Sequence, residues 1–123
     1  MSTLMNAGKA ETAKLLNGVD TPTAFTYIAL GSGSTAEAAT QTALVTEITT
    51  NGGQRAAATC SYVANYTARW TKTFNFTGNV TLREVGIFNA SSGGDMLLRH
   101  TYAADKTYIN GESVELIVDA VVS

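Results

Sequence analysis

Alternation of apolar and polar residues runs through most of the chain after residue 55, and it constrains the fold more than any other feature of the sequence. It is clearest in segments 69–76 and 113–122. Successive side chains of a strand point to opposite faces, so a period of two predicts half-buried antiparallel strands. The residues predicted to face inward are Trp70, Phe74, Phe76, Val114, Leu116, Val118, Ala120 and Val122.

Turn signals divide the chain into about six predicted strands. Gly78-Asn79, the run from Ser91 to Gly94, and Asn110-Gly111 supply these signals, and a hairpin is predicted around residues 65–67. This spacing predicts a mainly β fold, an antiparallel β-sandwich that is jelly-roll-like and forms one domain over residues 1–123. The predicted strands are 25–31, 55–66, 69–76, 80–88, 96–102 and 113–122.

Apolar parity changes inside the strand predicted at 80–88. Val80 and Leu82 share one parity, whereas Val85 has the other, and Arg83 and Glu84 lie between them. One extra residue in a strand produces such a shift, so we predict a β-bulge. A charged pair inside an apolar strand also suggests a partly buried network or an interface, with Arg83 and Glu84 as its members.

Two helices are expected beside the strands. Residues 2–17 have helical spacing and end at Asn17-Gly18, which makes 1–18 a helical N-terminal segment. Its apolar stripe fits packing on the chain's own sheet and fits a contact with another subunit equally well. A second, short inserted helix is predicted from Thr40 or Thr42 to Ile48. The stripe of the first helix comprises Leu4, Met5, Gly8, Thr12, Leu15 and Leu16, and the buried face of the second comprises Leu44, Val45 and Ile48.

Charge and the length of apolar runs argue against nucleic acid and membrane as partners. The net charge is −2 with 15% charged residues, so no basic surface is available to attract a nucleic acid. No apolar run approaches the ~20 residues that span a bilayer. The start of the chain has no signal-peptide pattern. We therefore expect a chain made in the host cytoplasm that binds neither nucleic acid nor membrane.

No motif in the sequence nominates a catalytic, cofactor or metal site. The string from Gly31 to Ala36 matches a dinucleotide-binding fingerprint only formally, since no βαβ unit surrounds it. His100 is the only histidine, and Cys60 is the only cysteine, read as a half-buried strand residue. A structural cation at Asp105 or Glu112 is not expected, because no calcium-loop pattern occurs. The expectation is a protein that is not an enzyme and holds no cofactor or metal.

Four strings, in order, resemble those of small tailed-phage structural proteins of the head-decoration (cement) and tail-fibre-like kind. They are Thr-Tyr-Ile-Ala-Leu-Gly-Ser-Gly-Ser-Thr at 26–35, Thr-Ala-Leu-Val-Thr-Glu-Ile at 42–48, Arg-Glu-Val-Gly-Ile-Phe-Asn at 83–89, and Leu-Leu-Arg at 97–99. With the closing strand, the resemblance covers nearly the whole chain after residue 27. It implies a mechanical role without catalytic residues.

The resemblance implies a capsid decoration protein that binds the major capsid protein and stabilises the head, as a homotrimer on the capsid surface of the virion. The alternative is a tail, baseplate or fibre-associated adaptor. A second alternative is a carbohydrate-binding module using Tyr62, Tyr66, Tyr102 and Tyr108. The residues expected at a subunit or capsid interface are Leu4, Met5, Leu15, Leu16, Arg83 and Glu84.

Overall fold

The computed structural model describes residues 3–122, which form eight strands and one helix. The elements in chain order are β1 (Thr3–Leu4), α1 (Asn6–Asn17), β2 (Tyr27–Gly31), β3 (Ala56–Ala57), β4 (Thr59–Val63), β5 (Thr67–Asn75), β6 (Val80–Phe88), β7 (Met96–Tyr108) and β8 (Ser113–Val121).

The strands form two antiparallel sheets, which confirms the predicted β-sandwich. One sheet has the order β1-β7-β6-β2-β3 and the other has the order β4-β5-β8. The main apolar core contains residues from both sheets, including Leu30, Leu82, Ile87, Trp70 and Leu116. The alternate apolar side chains of β5 and β8 therefore face inward as predicted, because each strand has one covered face.

The end of the last strand departs from this pattern. Val122 was predicted to face inward, but it follows β8 and is 75% exposed. Its backbone N–H still donates to the carbonyl oxygen of Tyr66 at 2.9 Å. The inward prediction for Val122 was wrong because the sandwich does not cover this end of the sheet.

A third layer covers the outer face of the five-stranded sheet. It consists of α1 and an irregular segment, residues 32–48, which we call the strap. Met5, Leu44, Phe88 and Met96 form a second buried cluster under this layer. Gly8 lets α1 lie directly on β7, since a Cβ at Gly8 would be 2.5 Å from the Cα of Leu97. Three layers, not two, therefore define the molecule.

The first helix is shorter than predicted. Residues 3 and 4 pair with β7, with Leu4 opposite Leu98, and Met5 caps a helix that begins at Asn6. Its end is as predicted: Gly18 has a φ of 73°, the left-handed conformation that glycine adopts readily. Residues 1 and 2 of the predicted helical segment lie outside the described residues.

The predicted inserted helix is absent, because residues 40–48 are irregular and bond to β2 through one antiparallel bridge between Gly31 and Glu47. The N–H of Ser32 donates to the carbonyl oxygen of Thr46, and the N–H of Ile48 donates to that of Leu30. Leu44 is buried as predicted, whereas Val45 is exposed. A sheet-like contact with β2 has replaced the local hydrogen bonds of a helix.

Two predicted strands also differ in extent. The strand expected at 55–66 is divided into β3 and β4, which belong to different sheets, so the chain changes sheet around Ala58. The strand expected at 96–102 continues to Tyr108. The parity change in β6 is confirmed, since Leu82 and Val85 both face the core and the register with β7 shifts between Leu82 and Glu84. The surplus residues of this irregularity lie on β7, because Leu82 pairs with Lys106 and Glu84 pairs with Thr101.

Candidate functional site

Glu84 and Arg99 form a fully buried ion pair between the five-stranded sheet and the strap. The Nε of Arg99 lies 2.8 Å from Oε1 of Glu84, and neither side chain has any exposed surface. The register with β7 shifts beside Glu84, and its carboxylate lies on the outer face of the sheet, against the strap. Glycines make room for it, since a Cβ at Gly31 or Gly33 would overlap the Glu84 side chain.

The Glu84 carboxylate binds backbone amides of the strap. Its Oε1 accepts from the N–H of Val45 at 2.9 Å, and its Oε2 accepts from the N–H groups of Gly33 and Thr46 at 2.9 and 2.8 Å. Four donors, counting Arg99, therefore converge on one carboxylate. Because three strap amides bind the same buried carboxylate, the path of the strap across the sheet is fixed. The carboxylate also satisfies these buried N–H groups without water.

The ionisation of Glu84 follows from this environment. Burial raises the pKa of its carboxyl group, but the hydrogen bonds from Thr46, Arg99, Val45 and Gly33 favour the charged form more strongly. The net effect holds the pKa of Glu84 below its ordinary value of 4.5. The carboxylate is therefore a charged anchor at neutral pH and not a proton donor.

Arg99 extends the same network to the middle of the strap. Its Nη1 donates to the carbonyl oxygen of Thr35 at 2.9 Å and to Oε1 of Gln41 at 3.2 Å. Within residues 3–122, its Nη2 is the one buried side-chain polar atom without a hydrogen-bond partner. An unsatisfied buried donor costs stability, so this nitrogen offsets part of what the ion pair and its hydrogen bonds contribute.

Two further groups fix the strap. Glu37 accepts from the hydroxyl of Thr3 at 2.6 Å and from the N–H of Thr101 at 2.8 Å. Arg55 forms a bidentate pair with Glu47 at 3.0 and 2.8 Å, and its guanidinium lies 3.7 Å from the ring centre of Phe88. The strap is thus attached near both ends as well as at its centre.

Arg83 does not pair with its neighbour Glu84. Its partners are on β7, where its Nε donates to the carbonyl oxygen of Tyr102 at 2.7 Å and its Nη1 lies 3.0 Å from Asp105. The network expected around Arg83 and Glu84 exists only for Glu84. Its partner Arg99 was missed, because no sequence feature other than the resemblance drew attention to it.

One side of α1 presents an apolar surface, the helix patch, made of Leu4, Ala13, Leu16 and Leu97 with the neighbouring Lys9 and Thr12. These residues line an open groove of about 260 Å³. Leu16 is 86% exposed. Of the six residues expected at an interface, Leu4, Leu15 and Leu16 are exposed and Arg83 is partly so, whereas Met5 and Glu84 lie wholly inside the chain.

The four tyrosines of the carbohydrate hypothesis do not form one site. Tyr62 and Tyr66 lie together at the β4–β5 turn, 72% and 69% exposed, whereas Tyr108 stacks on Phe76 and Tyr102 is half-buried beside His100. The groove beside Tyr62 and Tyr66 is lined almost entirely by carbon atoms. Small-ligand sites need several placed polar groups for orientation, and this groove offers few.

The other residues singled out in the sequence have ordinary surroundings. The N–H of Gly33 is occupied by Glu84 and is not free for a phosphate. Cys60 is exposed, not half-buried as predicted. Neighbouring atoms still shield its thiol from part of the solvent, and this desolvation raises the pKa of the thiol. Asp105 pairs with Arg83, and Glu112 accepts from the N–H of Ile109. No cluster of three metal-ligating side chains occurs in the described part of the chain.

None of the helical residues that the structure describes forms a stretch long and apolar enough to cross a membrane.

Comparison with known proteins identifies the family. The sequence model of the family described as podophage GP4 fiber I protein gp80 matches residues 6–122, which includes α1 and every strand except β1. A search of curated proteins found no match. The chain therefore belongs to the podophage GP4 fiber I protein gp80 family and is a structural protein of the phage virion.

Proposed function

We propose that this chain is a non-enzymatic, fibre-associated subunit of the phage tail that acts by binding neighbouring virion proteins. The family match over residues 6–122 supports this proposal, because the description of the family names a fibre protein. It favours the tail, baseplate or fibre adaptor over the capsid decoration protein. The fold is compatible with a mechanical role, since buried ion pairs attach the strap to the sheet.

The helix patch is the proposed contact with a neighbouring virion protein. Leu16 projects into solvent beside Leu4 and Ala13, with Lys9 at the rim. An apolar centre with a charged rim is the usual composition of a protein interface. Leu15 lies on the same last turn of α1 and is exposed, but it does not line this groove.

The location of the protein in purified particles tests the proposal most directly. Cryo-electron microscopy with a gold-labelled antibody against this chain should place the label on the tail or its fibres. Label confined to the head would refute the fibre assignment and favour the capsid decoration alternative, with the major capsid protein as partner.

A pair of matched variants tests the helix patch. Leu16→Lys introduces a charge into the patch, whereas Ala10→Lys introduces the same charge at an exposed position of α1 outside it. Burying an unpaired charge at an interface opposes binding. Incorporation into particles should fall at least tenfold for Leu16→Lys and stay unchanged for Ala10→Lys. Equal incorporation of both variants would exclude the patch as the contact.

Self-association as a homotrimer remains part of the proposal, since virion subunits of this kind act in closed assemblies. Light scattering of the purified chain across a range of concentrations measures its mass. A strict monomer at high concentration would contradict the trimer.

A further inference from the structure

Strand β4 is an edge strand that is exposed on both faces. Among residues 3–122, β5 pairs with one side of β4 and no strand pairs with the other. Its first four residues are exposed and Val63 is partly buried. Cys60 and Tyr62 share the inward parity of their cross-strand partners Trp70 and Ala68, yet the opposite sheet does not cover them.

The β4 edge lacks the features that normally protect an edge strand. Proteins block free edges with charged residues, proline or bulges, because unpaired N–H and C=O groups otherwise bind another strand. The free edge of β8 carries Glu115 and Asp119, and the part of β7 beyond β1 carries Asp105 and Lys106. The sequence of β4, Thr-Cys-Ser-Tyr-Val, contains neither a charge nor a proline.

An apolar surface continues from this edge. Tyr62, Tyr66 and Val122, with parts of Ser61, Thr67 and Ala68, line a groove of about 370 Å³. Tyr66 has a φ of 64°, which bulky residues rarely adopt, and its backbone is held by the hydroxyl of Tyr62 and the N–H of Val122. The backbone of Tyr66 is therefore held in position by its neighbours, and its side chain remains exposed beside Tyr62.

We propose that two copies of this chain pair through their β4 edges in an antiparallel contact about a twofold axis at Ser61. This register uses the whole strand: Thr59 lies opposite Val63 of the partner subunit, and Cys60 lies opposite Tyr62 of the partner subunit. A second copy is the occupant because an uncharged edge matches itself. The longer free edges, on β8 and on β7 beyond β1, carry charges, and the edge strands β1 and β3 are only two residues long. The contact is independent of where the chain sits in the virion.

The area available sets the strength of this contact. Tyr62 and Tyr66 together expose roughly 300 Å² per copy, taking about 200 Å² for a whole tyrosine. A stable interface buries about 800 Å² per partner. Even with the area that the strand backbone and Val122 add, this contact lies at the small, weak end of the range of interface sizes. Pairing is then concentration-dependent in solution and favoured where copies are crowded together.

Sedimentation of the full chain tests the pairing. Ser61→Asp places two carboxylates side by side at the twofold axis, and the largest species should fall to half its mass. Thr107→Asp is the control, since it introduces the same charge on the exposed part of β7. An unchanged mass for Ser61→Asp, or the same loss for both variants, overturns the proposal.

Disulfide cross-linking tests the register and does not depend on the charged variant folding. In a Cys60→Ser background, Ser61→Cys should form an interchain disulfide under mild oxidation, because the paired Cα atoms lie about 5 Å apart. Thr59→Cys should not, since its copies would be about 13 Å apart along the strands. Cross-linking of Thr59→Cys alone, or of neither variant at high concentration, would refute the contact at Ser61.

Discussion

Replacing Arg99 by methionine tests the buried network that holds the strap to the sheet. The change removes the guanidinium and keeps an apolar stem of similar length. It leaves the Glu84 carboxylate buried with three backbone N–H donors and no positive partner. Breaking a buried ion pair on one side costs about 3–5 kcal/mol, much of it from the charge left uncompensated.

Arg69→Met is the matched control. Arg69 pairs with Asp119 through two hydrogen bonds of 2.8 and 2.9 Å, so the pair has similar distances, but both side chains are more than one-third exposed. An exposed pair contributes about 0–1 kcal/mol. The same substitution should therefore give very different losses at the two sites.

Urea unfolding followed by the fluorescence of Trp70, the single tryptophan, measures both variants. Total stability of a domain is about 5–15 kcal/mol, so Arg99→Met should remove a large fraction of it. It should lower Tm by roughly 10–20 °C. Equal losses for Arg99→Met and Arg69→Met would refute the argument that burial makes the Glu84 pair decisive.

Further predictions concern the glycines Gly8 and Gly18, the ionisation of Glu84 and the hydrogen bond of Trp70. Gly8→Ala should cost about 1–3 kcal/mol in urea unfolding, because its methyl group would overlap the backbone of β7. Gly18→Ala should cost about 1 kcal/mol, since only its positive φ opposes the change, and equal costs would contradict the close packing. The folded-state pKa of Glu84 is lowered, so its contribution to stability is present above pH 4.5 and is lost as pH falls through the folded pKa. Urea midpoints that rise on acidification from pH 5 would contradict this direction. Trp70→Phe should cost about 1–3 kcal/mol by circular dichroism melts, because the carbonyl oxygen of Phe25 loses a buried 2.7 Å hydrogen bond. A loss below 0.5 kcal/mol would show that the bond is replaceable, since most buried groups left unpaired cost more.

Local pattern was sufficient for the inward faces of β5 and β8 and for the end of the helix. Trp70, Phe74 and Leu116 face the core because alternation requires one covered face, whichever sheet supplies the cover. The parity change beside Glu84 is visible in the sequence because an extra residue shifts every later side chain to the other face. Gly18 ends α1 because its backbone adopts a left-handed conformation at little cost.

The strap shows where local pattern fails. Residues 42–48 have helical spacing, but the N–H groups of Val45 and Thr46 bind Glu84, which is distant in sequence. A helix would direct these amides to carbonyl groups within the same segment. A short helix depends on tertiary packing for its stability. The contacts of residues 42–48 with Glu84 and β2 therefore override their local preference for a helix.

Parity and residue type alone were enough to predict the β-sandwich class, the parity change in β6 and the absence of a recognisable catalytic motif. Only the tertiary structure decided that Glu84 pairs with Arg99 and not with Arg83, that the chain changes sheet around Ala58, and that β4 is exposed on both faces. These features depend on which distant segments lie side by side. Periodicity states which face of a strand is apolar, whereas the packing of the whole chain decides whether that face is covered.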